Sequence, residues 1–210
     1  MNLKRCLSRF TIVLAVALPL SAAPFTNGSF ELGTDPGSWT AVLAGDTAIT
    51  GWTVLEVGVD YVGSLWTAAE GSRSVDLNRG AGIGGVSQTF DTVNGAAYVV
   101  SFYLSGNFVG APDPKDLTVT VAGVPQNFQF SMPGGWSLAT MGWVQRTVNF
   151  TASDTSTTLT FSTPNATGYG PAIDNVSVSG GQVIPEPGTL LLLGAGLFAL
   201  AGLGRYRRKR

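Results

Sequence analysis

The chain has 210 residues, with twelve Lys and Arg, thirteen Asp and Glu, no histidine and one cysteine. The missing histidine and the lone Cys6 exclude Ser-His-Asp and Cys-His catalysis and histidine-ligated zinc. Residues 24–183 carry four basic against twelve acidic residues, a net charge of −8, because the other eight basic residues lie near the termini. This sign argues against nucleic acid and anionic lipid as partners.

Residues 1–23 are predicted to form a secretory signal peptide with an apolar signal helix. Lys4, Arg5 and Arg9 precede an apolar run over residues 10–20, and small residues follow at 21–23. Basic, apolar and small residues in this order are typical of cleavable secretion signals. Cys6 leaves with this segment, so disulfide bonds cannot stabilise the exported domain.

Residues 24–180 are predicted to form one all-β domain, an antiparallel β-sandwich of jelly-roll type. Apolar and polar residues alternate with a period of two in many segments, and helical periodicity is nearly absent. Gly- and Pro-rich connections separate about nine short strands. One longer strand is expected from Trp52 through "WTVLEVGVDYV", with Leu55, Val57, Val59 and Tyr61 on one face.

The C-terminal segment predicts a membrane-anchored tail. Residues 181–188 form a linker that contains Pro185, Glu186 and Pro187, residues 189–204 are an apolar transmembrane helix, and residues 205–210 are a basic cytoplasmic tail. Sixteen helical residues span about 24 Å, slightly less than the ~30 Å of a bilayer core. The basic end therefore places the domain on the periplasmic side of the inner membrane. The alternative is an ordinary permanent anchor.

Several motifs, taken in order, resemble a known family. They are "NGSFELG" at 27–33, "TGW" at 50–52, "EGSRSVDLN" at 70–78, "GGVSQTF" at 84–90, "YVVSFYLSGN" at 98–107 and "AIDNVSVS" at 172–179. Together they resemble the choice-of-anchor C family, bacterial surface domains related to a plant cell-wall protein family and to galactose-binding-like jelly rolls.

The tail resembles the PEP-CTERM sorting signal, with its Pro-Glu-Pro motif, apolar stretch and basic end. This resemblance implies processing by an exosortase, a membrane-embedded cysteine transpeptidase of Gram-negative bacteria that make exopolysaccharide. The protein would then pass transiently through the inner membrane on its way to the cell surface or the extracellular space.

The family resemblance also implies a structural calcium ion held by Glu31 and Asp174, where the first and last strands of such jelly rolls meet. Carboxylate and carbonyl oxygens are the ligands that calcium prefers. The alternative is that Asp174 accepts hydrogen bonds from a neighbouring loop while Glu31 faces solvent.

Aromatic residues in polar loops are the candidate carbohydrate-binding residues, because sugar rings stack on exposed aromatic faces. Trp39 also lies in such a loop, whereas Trp52 and Trp143 are expected in the core. The alternative is that the loop rings act as lids on the core. The candidates are Trp66, Trp136 and Tyr169.

These features predict an exported, non-catalytic polysaccharide-binding module of the cell surface or biofilm matrix. Its expected partners are an exosortase and an extracellular polysaccharide. One alternative is a purely structural matrix protein that binds no specific glycan. A second is a glycoside hydrolase, which needs two catalytic carboxylates; the spacing of Glu56, Asp60, Glu70 and Asp76 singles out no pair.

Overall fold

A computed structural model of the chain describes residues 24–132, 134–135 and 137–182. The predicted signal peptide, Trp136, the Pro-Glu-Pro motif, the apolar helix and the basic tail lie outside the described residues. Within the described ranges, no helix is long and apolar enough to cross a membrane.

The described residues form eleven strands, all paired antiparallel, in two sheets. The six-stranded sheet has the order β1-β3-β4-β11-β6-β9 and the five-stranded sheet the order β2-β5-β10-β7-β8. The strands are β1 (Trp39–Val42), β2 (Thr53–Glu56), β3 (Val59–Val62), β4 (Ser74–Asp76), β5 (Gly84–Asp91), β6 (Ala97–Gly106), β7 (Lys115–Val121), β8 (Val124–Phe130), β9 (Val144–Thr151), β10 (Ser156–Ser162) and β11 (Pro171–Gln182).

The predicted all-β sandwich is confirmed. From β4 to β7 successive strands alternate between the two sheets, which is the pattern of a jelly roll. β11 continues to Gln182, so the first residues of the predicted linker belong to the last strand.

The core lies between the two sheets, where the alternating apolar residues meet. Phe102 of β6, Val119 of β7 and Phe161 of β10 have no solvent exposure. The expectation that Trp52 packs in the core is also confirmed, because it is 4% exposed and its ring contacts that of Phe30. Burial of these side chains is the main stabilising contribution to the fold.

The single long strand predicted from Trp52 is wrong. The chain turns at Glu56 and Gly58, both with positive φ, so β2 joins one sheet and β3 the other. Val57 at the turn is 46% exposed rather than inward-facing. A Cβ at position 58 would lie 2.3 Å from the Val42 carbonyl oxygen, so only glycine fits there.

A second apolar cluster covers part of the outer face of the six-stranded sheet. Val59 and Tyr61 point into the core, so Asp60 and Val62 point outward. Val62 is buried with Trp66, Met141 and Ala172, under the loops that contain residues 63–73 and 137–143. This cluster, hereafter the outer cluster, borders the candidate site.

Candidate functional site

A pocket of about 450 Å³ lies on the outer face of the six-stranded sheet, beside the outer cluster. β1 and β3 and the end of β4 contribute side chains to it, and loops after β3, β4 and β6 and before β11 complete its walls. Its volume is within the range of about 300–1,000 Å³ common for small-molecule sites. The lining residues are Trp39, Asp60, Val62, Leu65, Trp66, Asp76, Gly80, Asn107, Val109, Gly168 and Tyr169.

Aromatic side chains supply much of the pocket wall. Trp39 is 50% exposed and Tyr169 39% exposed, so both have ring surface available to a ligand. Trp66, by contrast, is only 4% exposed, and its Nε1 donates a hydrogen bond of 2.8 Å to Ser74 Oγ. The fold thus brings two of the three predicted residues, Trp66 and Tyr169, into one pocket, but the exposure expected for Trp66 is wrong.

Two carboxylates lie side by side in the pocket, because Asp60 of β3 is the cross-strand partner of Asp76 of β4. Asp76 is fully buried and accepts three hydrogen bonds. The Asn78 and Gly170 amides donate to its Oδ1 at 3.0 Å, and Asn107 Nδ2 donates to its Oδ2 at 2.8 Å. Asp60 Oδ1 is buried without a hydrogen-bond partner.

Burial makes Asp60 and Asp76 weaker acids than ordinary aspartates. Desolvation raises the pKa of Asp60 to about 6, although the positive charge of Arg79 opposes the rise. Desolvation also raises the pKa of Asp76 to about 7, and the nearby charge of Asp60 adds to it against the opposing hydrogen bonds of Asn78, Asn107 and Gly170. Buried carboxylates with raised pKa values in a cleft are typical of functional sites.

A buried lysine forms hydrogen bonds to two of the pocket loops, the one after β6 and the one before β11. Lys115 is 1% exposed, and its Nζ donates hydrogen bonds to the carbonyl oxygens of Gly110 at 2.5 Å and Tyr169 at 2.8 Å. The Tyr169 ring lies against Gly110, where an added Cβ would come within 2.3 Å of Tyr169 Cδ2. Lys115 and Gly110 together therefore fix the position of the Tyr169 ring.

Glu31 and Asp174 both accept hydrogen bonds from the loop that contains residues 69–73, and for Asp174 this is the arrangement expected if no calcium is bound. The Ala69 and Glu70 amides donate to Asp174 Oδ2 at 2.7 and 2.9 Å, and the Asn175 amide donates to Oδ1 at 2.6 Å. Glu31 Oε1 accepts the amides of residues 72 and 73 at 2.8 and 2.7 Å. Desolvation raises the pKa of Asp174 to about 7, although the hydrogen bonds from the Glu70, Asn175 and Ala69 amides oppose the rise.

The oxygen chemistry of this pair fits calcium, but N–H donors already occupy much of both carboxylates. Among the residues that the structure describes, no group of three or more His, Cys, Asp or Glu is arranged to hold a metal ion. The calcium site stays a prediction.

Among the aromatic and charged side chains that line the pocket, three were not predicted as site residues: Trp39, Asp60 and Asp76. The "VDYV" and "SVD" alternation signals that both aspartates point away from the core. It does not signal that the two strands pair with these residues opposite each other, because that register depends on the fold.

Comparison with known proteins identifies two segments. Residues 23–179 match the family model described as protein of unknown function (DUF642). Residues 183–209 match the PEP-CTERM protein-sorting motif, which confirms the predicted sorting signal and indicates an exported protein. The name attached to the domain match is DUF642 rather than choice-of-anchor C.

A curated relative is halomucin of Haloquadratum walsbyi, which is 35% identical over 188 residues. The match covers 80% of this chain, but the chain spans only about 2% of the length of halomucin.

Solved structures with a similar fold include carbohydrate-binding modules at low sequence identity. TmCBM61 in complex with beta-1,4-galactotriose is 17% identical with a TM-score of 0.46, covering 74% of this chain and 97% of that chain. The CBM22-1 xylan-binding domain of Paenibacillus barcinonensis Xyn10C is 19% identical with a TM-score of 0.44, covering 74% and 93%. With the family model matched over most of its length, the chain belongs to the DUF642 family and carries a PEP-CTERM sorting motif after its β-sandwich.

Proposed function

We propose that the protein is an exported, non-catalytic polysaccharide-binding protein of the cell surface or extracellular matrix, and that the pocket beside the outer cluster binds the sugar. One observation carries this proposal. Two exposed aromatic rings, Trp39 and Tyr169, flank a pocket in which a buried carboxylate oxygen, Asp60 Oδ1, has no partner within the protein.

These groups complement a pyranose sugar. The apolar C–H face of such a ring packs against an aromatic side chain, and its hydroxyl groups need hydrogen-bond acceptors. Asp60 Oδ1 is an acceptor whose burial costs free energy until a donor reaches it. Asp60 lines the pocket and is only partly buried, so rotation of its carboxylate would let a sugar hydroxyl supply that donor and recover part of this cost.

The same geometry favours binding over glycoside hydrolysis. A glycosidase needs two carboxyl groups that both reach the scissile bond. Asp76 is fully buried and both of its oxygens are engaged by N–H donors of Asn78, Asn107 and Gly170, so it is not free to act on a substrate. Asp60 alone does not make a catalytic pair.

We also propose that an exosortase removes the tail after export, with the apolar segment as a temporary membrane anchor. The Pro-Glu-Pro motif within the matched segment supports this order of events. Mass spectrometry of the protein recovered from its native host tests it. Processing predicts loss of the residues after the motif, whereas an intact C terminus at Arg210 would show a permanent anchor.

A glycan microarray probed with the purified protein tests the binding function. The wild type is expected to bind at least one class of polysaccharide, and the double variant Trp39→Ala/Tyr169→Ala is expected to lose that binding. Val124→Ala is the control, because Val124 is 59% exposed in the five-stranded sheet and does not line the pocket. Absence of binding to every glycan would favour the purely structural alternative.

A further inference from the structure

Resting on the proposed function, we propose that the pocket selects a sugar unit that carries a protonated amino group over the matching neutral sugar, and that it rejects uronic acids. The ligand would therefore be a polysaccharide that contains hexosamine units with free amino groups. The cavity and its two exposed rings define the site, and the distribution of charge around it defines the ligand class.

The charged side chains that line the pocket are all acidic. They are Asp60 and Asp76, and no basic side chain is among the lining residues. The nearby cations, Lys115 and Arg79, are not among the lining residues. Lys115 is 1% exposed and its Nζ is used by two backbone carbonyls, while Arg79 influences Asp60 from outside the lining. The wall of the pocket therefore contains acidic side chains and no basic ones.

The aromatic walls have the same polarity as the carboxylates. The faces of indole and phenol rings carry negative partial charge and attract cations within about 6 Å. Trp39 and Tyr169 expose such rings at the pocket, although their hydroxyl and indole N–H groups remain available as donors. Aromatic rings around a carboxylate are a suitable environment for an ammonium group.

Hydrogen-bond capacity points to the same ligand. An ammonium group has three donors and no acceptor, whereas the carboxylate of a uronic acid has only acceptors. Asp60 Oδ1 is an acceptor without a partner, and Asn107 already donates its Nδ2 to Asp76 and accepts the Val109 amide. A uronate beside Asp60 would place two acceptors of like charge together.

The whole domain reinforces this preference at longer range. Its net charge of −8 attracts a polymer with ammonium groups and repels a polyuronate before contact. This general attraction is screened by salt, while the contribution of Asp60 inside the pocket is screened less. The two contributions can therefore be separated by experiment.

The test is isothermal titration of the purified full chain with matched oligosaccharides in the gluco and galacto series. Each series contains the de-N-acetylated, the N-acetylated and the uronic-acid form with the same linkage. The de-N-acetylated form is expected to bind roughly tenfold more tightly than the N-acetylated form, and the uronic acid more weakly than both. Asp60→Asn is expected to abolish this difference.

Asp91→Asn is the matched control, because it removes the same charge from β5 of the other sheet. It is expected to keep the tenfold preference. Equal binding of the matched forms, preference for the uronic acid, or an equal loss in both variants would overturn the inference while the proposed function stands. Failure to bind any glycan, here or on the microarray, would overturn both.

Discussion

Asp60→Asn should make the protein more stable at pH 8 while it weakens glycan binding. Asp60 places a carboxylate oxygen in a buried position without a hydrogen-bond partner, next to the buried Asp76. At pH 8 the ionised group is desolvated in the folded state and hydrated in the unfolded state, so its charge opposes folding. Asparagine keeps the shape of the side chain and removes the charge.

The magnitude follows from the raised pKa. Burial raises the pKa of Asp60 from 3.8 to about 6 against the opposing charge of Arg79. For a fully buried group, a rise of this size in pKa would correspond to about 3 kcal/mol. Asp60 is only partly buried, so solvent screening reduces the expected gain to about 1 kcal/mol. For a domain of this size that corresponds to about 2–4 °C in melting temperature.

The effect of Asp60 on the free energy of unfolding depends on pH. Because the folded-state pKa of Asp60 is raised, its stabilising contribution is present below pH 3.8 and is lost as the pH rises through about 6. The gain from Asp60→Asn should therefore appear at pH 8 and vanish near pH 3.8.

Thermal denaturation at both pH values measures this gain, with Glu56→Gln as a control that changes charge at an exposed position. An equal gain at both pH values, or a loss at pH 8, would refute the reasoning. Glycan binding is a separate test of the same residue. If Asp60→Asn binds glycan as tightly as the wild type, Asp60 is not the acceptor for the sugar.

The remaining predictions concern the loops around the pocket and the predicted ion. Lys115→Met leaves the carbonyl oxygens of Gly110 and Tyr169 without donors, so chemical denaturation should show a loss of about 2 kcal/mol; an unchanged midpoint would contradict the bonding described. Gly110→Ala forces the Tyr169 ring aside, so titration should show weaker glycan binding with little change in melting temperature; unchanged binding would remove Tyr169 from the site. Adding calcium to chelator-treated protein should raise the melting temperature of the wild type but not of Glu31→Gln if an ion bridges Glu31 and Asp174; an unchanged melting temperature would leave the amide hydrogen bonds as the only brace.

The fold was largely predictable because one face of each strand in a β-sandwich is buried, so apolar residues recur at every second position. Val119 and Phe161 alternate with threonine or serine along their strands, and both are fully buried, as that pattern predicts. The break between β2 and β3 was missed because the alternation runs through the turn at Gly58 without interruption. A left-handed backbone conformation is compatible with glycine but not specified by it.

The site was less predictable because it depends on contacts between distant segments. Tyr169 was expected to be exposed from its polar loop and is 39% exposed, but Trp66 in a similar loop is buried as a member of the outer cluster. The pairing of Asp60 with Asp76 depends on the register of β3 against β4. Local composition predicts neither the burial of Trp66 nor the pairing of Asp60 with Asp76.

The most direct test of the central claim is a ¹H–¹⁵N NMR titration of the purified protein with a glycan that the microarray identifies. We expect the largest shifts on the Trp39 indole N–H and on the amides of Asn107 and Tyr169. Shifts confined to the outer face of the five-stranded sheet, for example at Thr118 and Thr158, would contradict it and place glycan binding on the opposite side of the molecule.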